Sequence, residues 1–73
     1  MAEFGDETRQ RLEELLNQMM NASDPDEIRE TVLSIKQIFT DNSNINGALA
    51  CEQVLRYDRE RQWLYFRTIR MIQ

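Results

Sequence analysis

The chain has 73 residues, a formal net charge of −4, one cysteine and no histidine. Such a length permits one domain, and a chain this short buries only about 60% of its unfolded surface on folding. One cysteine excludes an internal disulfide, and the lack of histidine excludes histidine metal sites and Ser-His-Asp or Cys-His catalysis. We therefore predict a single domain over residues 1–73 that is not an enzyme and holds neither a cofactor nor a metal.

The beginning of the chain lacks the basic-then-apolar pattern of a secretory signal, and no apolar stretch approaches the roughly 20 residues of a membrane span. The sequence therefore predicts a soluble, intracellular protein, cytoplasmic or nuclear, without a membrane partner. Residues 1–4 end in Glu3-Phe4, which a common restriction site encodes, and they are a candidate expression scar. The alternative is that Phe4 packs at the start of the first helix.

An apolar stripe at helical spacing predicts a first helix over about residues 7–21. Asp6 is the expected N-cap, since its carboxylate can accept a hydrogen bond from a free backbone N–H. The stripe recurs at i, i+3, i+4, i+7 and i+8 and is expected to face the core. It consists of Leu12, Leu15, Leu16, Met19 and Met20.

The second helix, over about residues 25–40, has the clearest start signal in the sequence. Asp24 is placed to cap it, Pro25 suits the first helical position, and Glu27 completes the pattern of a capping box. The predicted buried edge is Ile28, Val32, Ile35 and Phe39, which Leu33 and Ile38 widen. Apolar surface over so much of the circumference predicts contact with two neighbouring helices.

The remainder of the chain is predicted to form a third helix over about residues 45–72. A loop-like run, Asp41 to Asn44, precedes it, and neither proline nor glycine follows Gly47. A break near Asp58 to Arg61 is one alternative, and a strand over residues 63–72 is another. On one continuous helical wheel the apolar stripe is Ile45, Ala48, Cys51, Leu55, Phe66 and Ile69.

Together these elements predict an all-α fold, a small three-helix bundle of up-down-up order with a long C-terminal helix. The connections are short, which makes consecutive helices antiparallel neighbours. The third helix would extend beyond the two shorter ones and expose apolar side chains unless a partner covers them. Cys51 lies on the apolar stripe and is interpreted as a small buried residue.

Charge divides the chain into two unequal parts. Residues 1–53 contain four basic and eleven acidic side chains, a net charge of −7, whereas residues 54–73 contain five arginines and two acids, a net charge of +3. A basic region in an otherwise acidic molecule indicates a local surface for an acidic partner. The acidic residues themselves, including the adjacent Glu13 and Glu14, are interpreted as solvated surface.

The candidate site is an arginine-and-aromatic ladder on the predicted third helix. Arg56, Arg59, Trp63, Arg67 and Arg70 fall within about 80° of one another on the helical wheel. Arginine, tryptophan and tyrosine are the residues enriched at binding hot spots. The predicted partner-binding residues are Arg56, Arg59, Trp63, Leu64, Tyr65, Arg67 and Arg70.

Three interpretations of the ladder are open. In the first, the arginines pair with acids of the other helices while Trp63 and Phe66 complete the core. In the second, which we favour, the ladder contacts another protein, either a second copy or a different acidic and apolar partner, as expected of a homodimeric adaptor or regulatory module. In the third, the arginines bind phosphates and Trp63 or Tyr65 stacks on an unpaired base of RNA or DNA.

Overall fold

The computed structural model describes residues 4–73, which form four α-helices and one short 3-10 turn. The elements in chain order are α1 (Asp6–Asn21), α2 (Pro25–Asp41), α3 (Ile45–Arg56), the 3-10 turn (Asp58–Glu60) and α4 (Arg61–Ile72). The predicted all-helical fold is confirmed for residues 4–73, where no strand occurs. The predicted third helix is matched only in part, because residues 45–72 form two helices rather than one, which corrects the number of helices from three to four.

Helix α1 begins one residue earlier than predicted, and Gly5 rather than Asp6 is its N-cap. Asp6 lies in the first turn, where its carboxylate accepts a hydrogen bond from the Arg9 guanidinium at 2.6 Å instead of capping the backbone. Phe4 precedes the helix and packs edge-on against the ring of Phe39 in α2, with the ring centroids 5.9 Å apart. Residues 1–3 of the candidate expression scar lie outside the described residues.

Helix α2 begins at the predicted residue, with Asp24 as its N-cap and Pro25 in the first turn. The Asp24 carboxylate accepts a hydrogen bond from the backbone N–H of Asp26 at 3.3 Å, so the cap uses this residue and not the capping-box partner Glu27. The helix buries a stripe that includes most of the predicted edge. Its buried residues are Thr31, Val32, Ile35 and Phe39.

Hydrogen bonds close the turn between α2 and α3. Ser43 has a φ of 59°, in the left-handed region, which lets the chain reverse within a few residues. The side-chain oxygen of Asn44 accepts a hydrogen bond from the backbone N–H of Gly47 at 2.8 Å and so caps α3. The side-chain amide of Asn42 donates to the carbonyl of Ile38 at 2.8 Å, which satisfies a carbonyl at the end of α2.

The chain leaves helical geometry at Tyr57, where φ is −133° and ψ is 103°. With neither proline nor glycine at this point, tertiary packing and not local propensity decides the break. A continuous helix over residues 45–72 would be about 42 Å long, whereas the longest dimension of the described residues is 33 Å. The break therefore returns α4 to the other helices, where Leu64, Thr68 and Ile72 become buried.

Arg61, the first residue of α4, attaches this helix to the end of α1. Its guanidinium donates hydrogen bonds to the backbone carbonyls of Met19 at 2.8 Å and Ala22 at 3.0 Å. The same group forms an ion pair with Asp58, at 2.9 Å from Nε to the carboxylate. One arginine thus satisfies carbonyls that the end of α1 leaves free and fixes the 3-10 turn that precedes α4.

Each helix contacts two neighbours: α1 adjoins α2 and α4, and α3 adjoins the same two helices. At the far end of α4, the Arg9 guanidinium donates to the carbonyl of Ile72 at 3.5 Å. Since the start of α4 lies at the end of α1 and its end lies at the start of α1, these two helices are antiparallel. The shared core is formed by Leu12, Leu15, Leu16, Met19, Val32, Ile35, Phe39, Ala50, Cys51, Val54, Leu64 and Ile72.

Several side chains that were predicted to face the core are exposed. The continuous wheel places Ile45 and Phe66 on the apolar stripe, but their side chains are 72% and 55% exposed. Met20 and Leu33, predicted for the apolar faces of α1 and α2, are exposed as well. The buried residues are Gly47, Ala50, Cys51 and Val54 in α3 and Leu64, Thr68 and Ile72 in α4.

Gly47 sets the distance between α2 and α3. A Cβ atom at this position would lie 2.4 Å from the ring of Phe39, closer than any real contact. A second link between these helices is the ion pair of Lys36 and Glu52, with 2.9 Å from Nζ to the carboxylate. The absence of a side chain at Gly47 therefore allows the largest core residue of α2 to pack directly against the backbone of α3.

We expect the substitution Arg61→Met to lower the free energy of unfolding by about 2 kcal/mol, because two carbonyls of α1 lose a charged donor. The control is Arg59→Met, which removes the same charge from an exposed guanidinium and should change the free energy of unfolding by less than about 0.5 kcal/mol. Urea denaturation of both variants measures the difference. Equal stability of the two variants would contradict this role of Arg61.

Candidate functional site

The predicted ladder is divided by the break at Tyr57. Arg56 is exposed at the end of α3, and Arg59 is exposed in the 3-10 turn, where its guanidinium lies 5.7 Å from the centroid of the Tyr57 ring. Trp63, Arg67 and Arg70 lie together on α4. Only these three members of the ladder therefore share one helix surface.

Two further residues of the predicted site face inward. Leu64 is fully buried in the core, so its assignment to a partner-binding surface is corrected: a partner cannot reach it without unfolding α4. Tyr65 is half-buried and packs against the same core, and its ring meets that of Phe66 edge-on at 5.4 Å. Sequence reasoning placed both on the surface because it treated residues 45–72 as one helix.

The outward surface of α4 carries a shallow depression of about 460 Å³. We call this surface the α4 face, and its lining residues are Trp63, Phe66, Arg67, Arg70 and Met71. Three of them are large apolar side chains that remain in contact with solvent, with exposed fractions of 46% for Trp63, 55% for Phe66 and 39% for Met71. The α4 face thus combines apolar and cationic groups on a single helix.

The arginines of the α4 face are not neutralised by acids within the described part of the chain. The ion pairs among residues 4–73 involve Arg9, Arg11, Lys36 and Arg61. Arg67 instead lies with its guanidinium carbon 5.6 Å from the centroid of the Trp63 ring, a cation–π contact. Its Nε atom is buried and has no hydrogen-bond partner among the described residues. Within residues 4–73, the ladder arginines therefore lack the ion pairs with acids of the other helices that the first interpretation required.

Phe66 and Met71 belong to the α4 face, and sequence reasoning missed both. Phe66 was assigned to the core, although a wheel restricted to residues 61–72 places it opposite Leu64, Thr68 and Ile72. The signal that could have revealed this was the i, i+4, i+8 spacing of those three residues. Arg61, which the predicted ladder did not include, directs its guanidinium to α1.

Cys51 and Glu52, which are neighbours on α3, both have shifted pKa values. Burial raises the pKa of the Cys51 thiol from 9.0 to about 12, and the nearby Lys36 opposes this shift only in part. The side-chain hydrogen bond from Lys36 lowers the pKa of Glu52, which keeps this carboxylate ionised. Cys51 is therefore a protonated, buried thiol, a poor nucleophile at neutral pH.

Two structural findings concern metals and membranes. Across residues 4–73, no group of three or more histidine, cysteine, aspartate or glutamate side chains is placed to hold a metal ion. None of the helices described is both long enough and apolar enough to cross a membrane.

The raised pKa of Cys51 predicts a loss of stability at alkaline pH. The folded state favours the protonated thiol, which therefore contributes to the free energy of unfolding. This contribution is complete below pH 9 and is lost as the pH rises toward about 12. The difference in free energy of unfolding between the wild type and Cys51→Ala should be constant below pH 9 and should shift against the wild type above it. Denaturation of both proteins across this range measures the difference. A difference independent of pH would contradict the assignment.

No match was found to a protein-family model, to a curated protein or to a solved structure. The functional interpretation therefore depends on the geometry and chemistry of the surfaces of this chain.

Proposed function

We propose that the protein is a non-enzymatic protein–protein interaction module, of the adaptor or regulatory kind, that self-associates through the α4 face. The observation that carries this proposal is the presence of Trp63 and Phe66, both about half exposed, beside two arginines without acidic partners in residues 4–73. In an acidic molecule, such a surface is suited to binding an acidic and apolar protein surface.

In this proposal, the apolar part of the α4 face supplies the driving force for association. Trp63, Phe66 and Met71 would lose their contact with water in a complex, and buried aromatic side chains dominate the free energy of many interfaces. Arg67 is already held over the Trp63 ring, so little conformational freedom of the pair is lost on binding. The α4 face is therefore partly organised before a partner arrives.

The charges of α1 and α4 favour a second copy of the chain as the partner. Helix α1, which adjoins α4, exposes the acidic residues Glu7, Glu13 and Glu14. In a dimer with twofold symmetry, the α4 face of each protomer can lie on α1 of the other. Arg67 and Arg70 of each protomer then pair with these acids of its partner. The net charges of −7 in residues 1–53 and +3 in residues 54–73 favour this arrangement.

Binding of RNA or DNA to the α4 face remains the alternative function. The observation in its favour is the exposed Trp63 ring beside two cationic side chains, a composition that also stacks on unpaired bases. Against it, one side of the ring is covered by Arg67, and the molecule carries a net charge of −4. Binding to single-stranded RNA or DNA that falls steeply with salt would favour this alternative.

We expect Trp63→Ala to weaken dimerisation by about 30-fold, because truncation of an aromatic hot spot costs about 2 kcal/mol of binding free energy. Leu33→Ala is the matched control, since Leu33 is similarly exposed but lies on α2. Sedimentation equilibrium of the wild type and both variants at increasing concentration gives the dissociation constants. A wild type that stays monomeric at high micromolar concentration would refute self-association, and equal effects of the two substitutions would refute the α4 face as the interface.

A further inference from the structure

A second concave surface lies away from the α4 face, between the start of α2, the end of α3 and the 3-10 turn. Its volume is about 470 Å³, within the range of about 300–1,000 Å³ typical of small-molecule sites. We call it the α2–α3 groove. The side chains at its apolar floor are Ile28, Val32, Val54 and Leu55.

The floor of the groove is continuous with the core. Val32 and Val54 are buried, while Ile28 and Leu55 are half-buried and leave part of their apolar surface open to the groove. An occupant that covers these two side chains removes apolar surface from water without any change in the helices. The floor therefore suits a hydrocarbon group.

The rim of the groove is cationic. Arg29 and Arg56 line it from α2 and α3 respectively, and neither is part of an ion pair in the described chain. Of the two aspartates in the lining, Asp58 is neutralised by Arg61 through the ion pair at 2.9 Å. The other aspartate, Asp26, forms no ion pair within the described chain. The rim therefore has two unpaired guanidinium groups and one unpaired carboxylate. The rim therefore favours an occupant with one negative charge.

We propose that the α2–α3 groove binds an amphipathic carboxylate, with its hydrocarbon group on the floor and its carboxylate between Arg29 and Arg56. A free aliphatic acid and the terminal carboxyl group of a peptide that ends in an apolar residue share this chemistry. Arg61 also lines the groove, and its guanidinium donates hydrogen bonds to the carbonyls of Met19 and Ala22. The site is separate from the α4 face, so ligand binding here does not depend on self-association.

Octanoate is the probe for this proposal, and its neutral counterpart 1-octanol is the control ligand. Titration of the isotope-labelled protein with octanoate should give saturable NMR shifts of the methyl groups of Ile28, Val32 and Leu55. Octanol should bind more weakly because it lacks the charge that the rim recognises. A short peptide that ends in leucine with a free carboxyl group, compared with octanoate, shows whether a free acid or a peptide terminus binds more tightly.

The double substitution Arg29→Gln with Arg56→Gln should weaken octanoate binding roughly tenfold and leave octanol binding unchanged, since only the charge-assisted hydrogen bonds are removed. The matched control is Arg11→Gln with Arg59→Gln, which removes the same charge from exposed arginines outside both the groove and the α4 face. Equal loss of octanoate affinity in both double variants would overturn the proposal. Equal affinity for octanoate and octanol would overturn it too, as would shifts confined to α4 or absent at millimolar octanoate.

Discussion

One guanidinium group attaches the start of α4 to the end of α1. Arg61 donates hydrogen bonds to the carbonyls of Met19 and Ala22, where α1 ends, and pairs with Asp58 in the 3-10 turn. These contacts fix the start of α4 at the end of α1, and the helix then runs back along α1 until Ile72 reaches Arg9. Leu64 and Ile72 are buried as a result, and the opposite side of α4 is left to solvent. With this attachment, one side of α4 is therefore buried and the other forms the α4 face.

How much the sequence could predict differs between the two halves of the chain. Helices α1 and α2 carry local signals, an apolar stripe in one and the Asp24-Pro25 start in the other, and their bounds were predicted within one residue. The break at Tyr57 lies close to the alternative predicted near Asp58 to Arg61, but it was not the favoured prediction, because neither glycine nor proline marks it. The break is decided by long-range contacts of Arg61 and Leu64 with α1 and the core, which a helical wheel does not contain.

The difference between local signals and long-range contacts also explains which parts of the site could be predicted. The charge count identified residues 54–73 as a cationic segment that also contains aromatic residues. Such a count does not depend on where the side chains point. Which of these residues share a surface depends on the helix break. Arg56 lies at the α2–α3 groove, whereas Trp63, Arg67 and Arg70 lie together on α4. Two surfaces of different composition thus replace one ladder: the α4 face, which is aromatic and cationic, and the α2–α3 groove, which has an apolar floor and a cationic rim.

The close approach of Gly47 to Phe39 also constrains how sequences with this fold can vary. The ring of Phe39 occupies the space that a side chain at residue 47 would need, so the two positions share one volume. A methyl group at position 47 becomes acceptable only when the aromatic ring at position 39 is replaced by a smaller side chain. Related sequences should therefore change these two residues together, and the pair offers a way to recognise distant relatives whose surfaces have diverged.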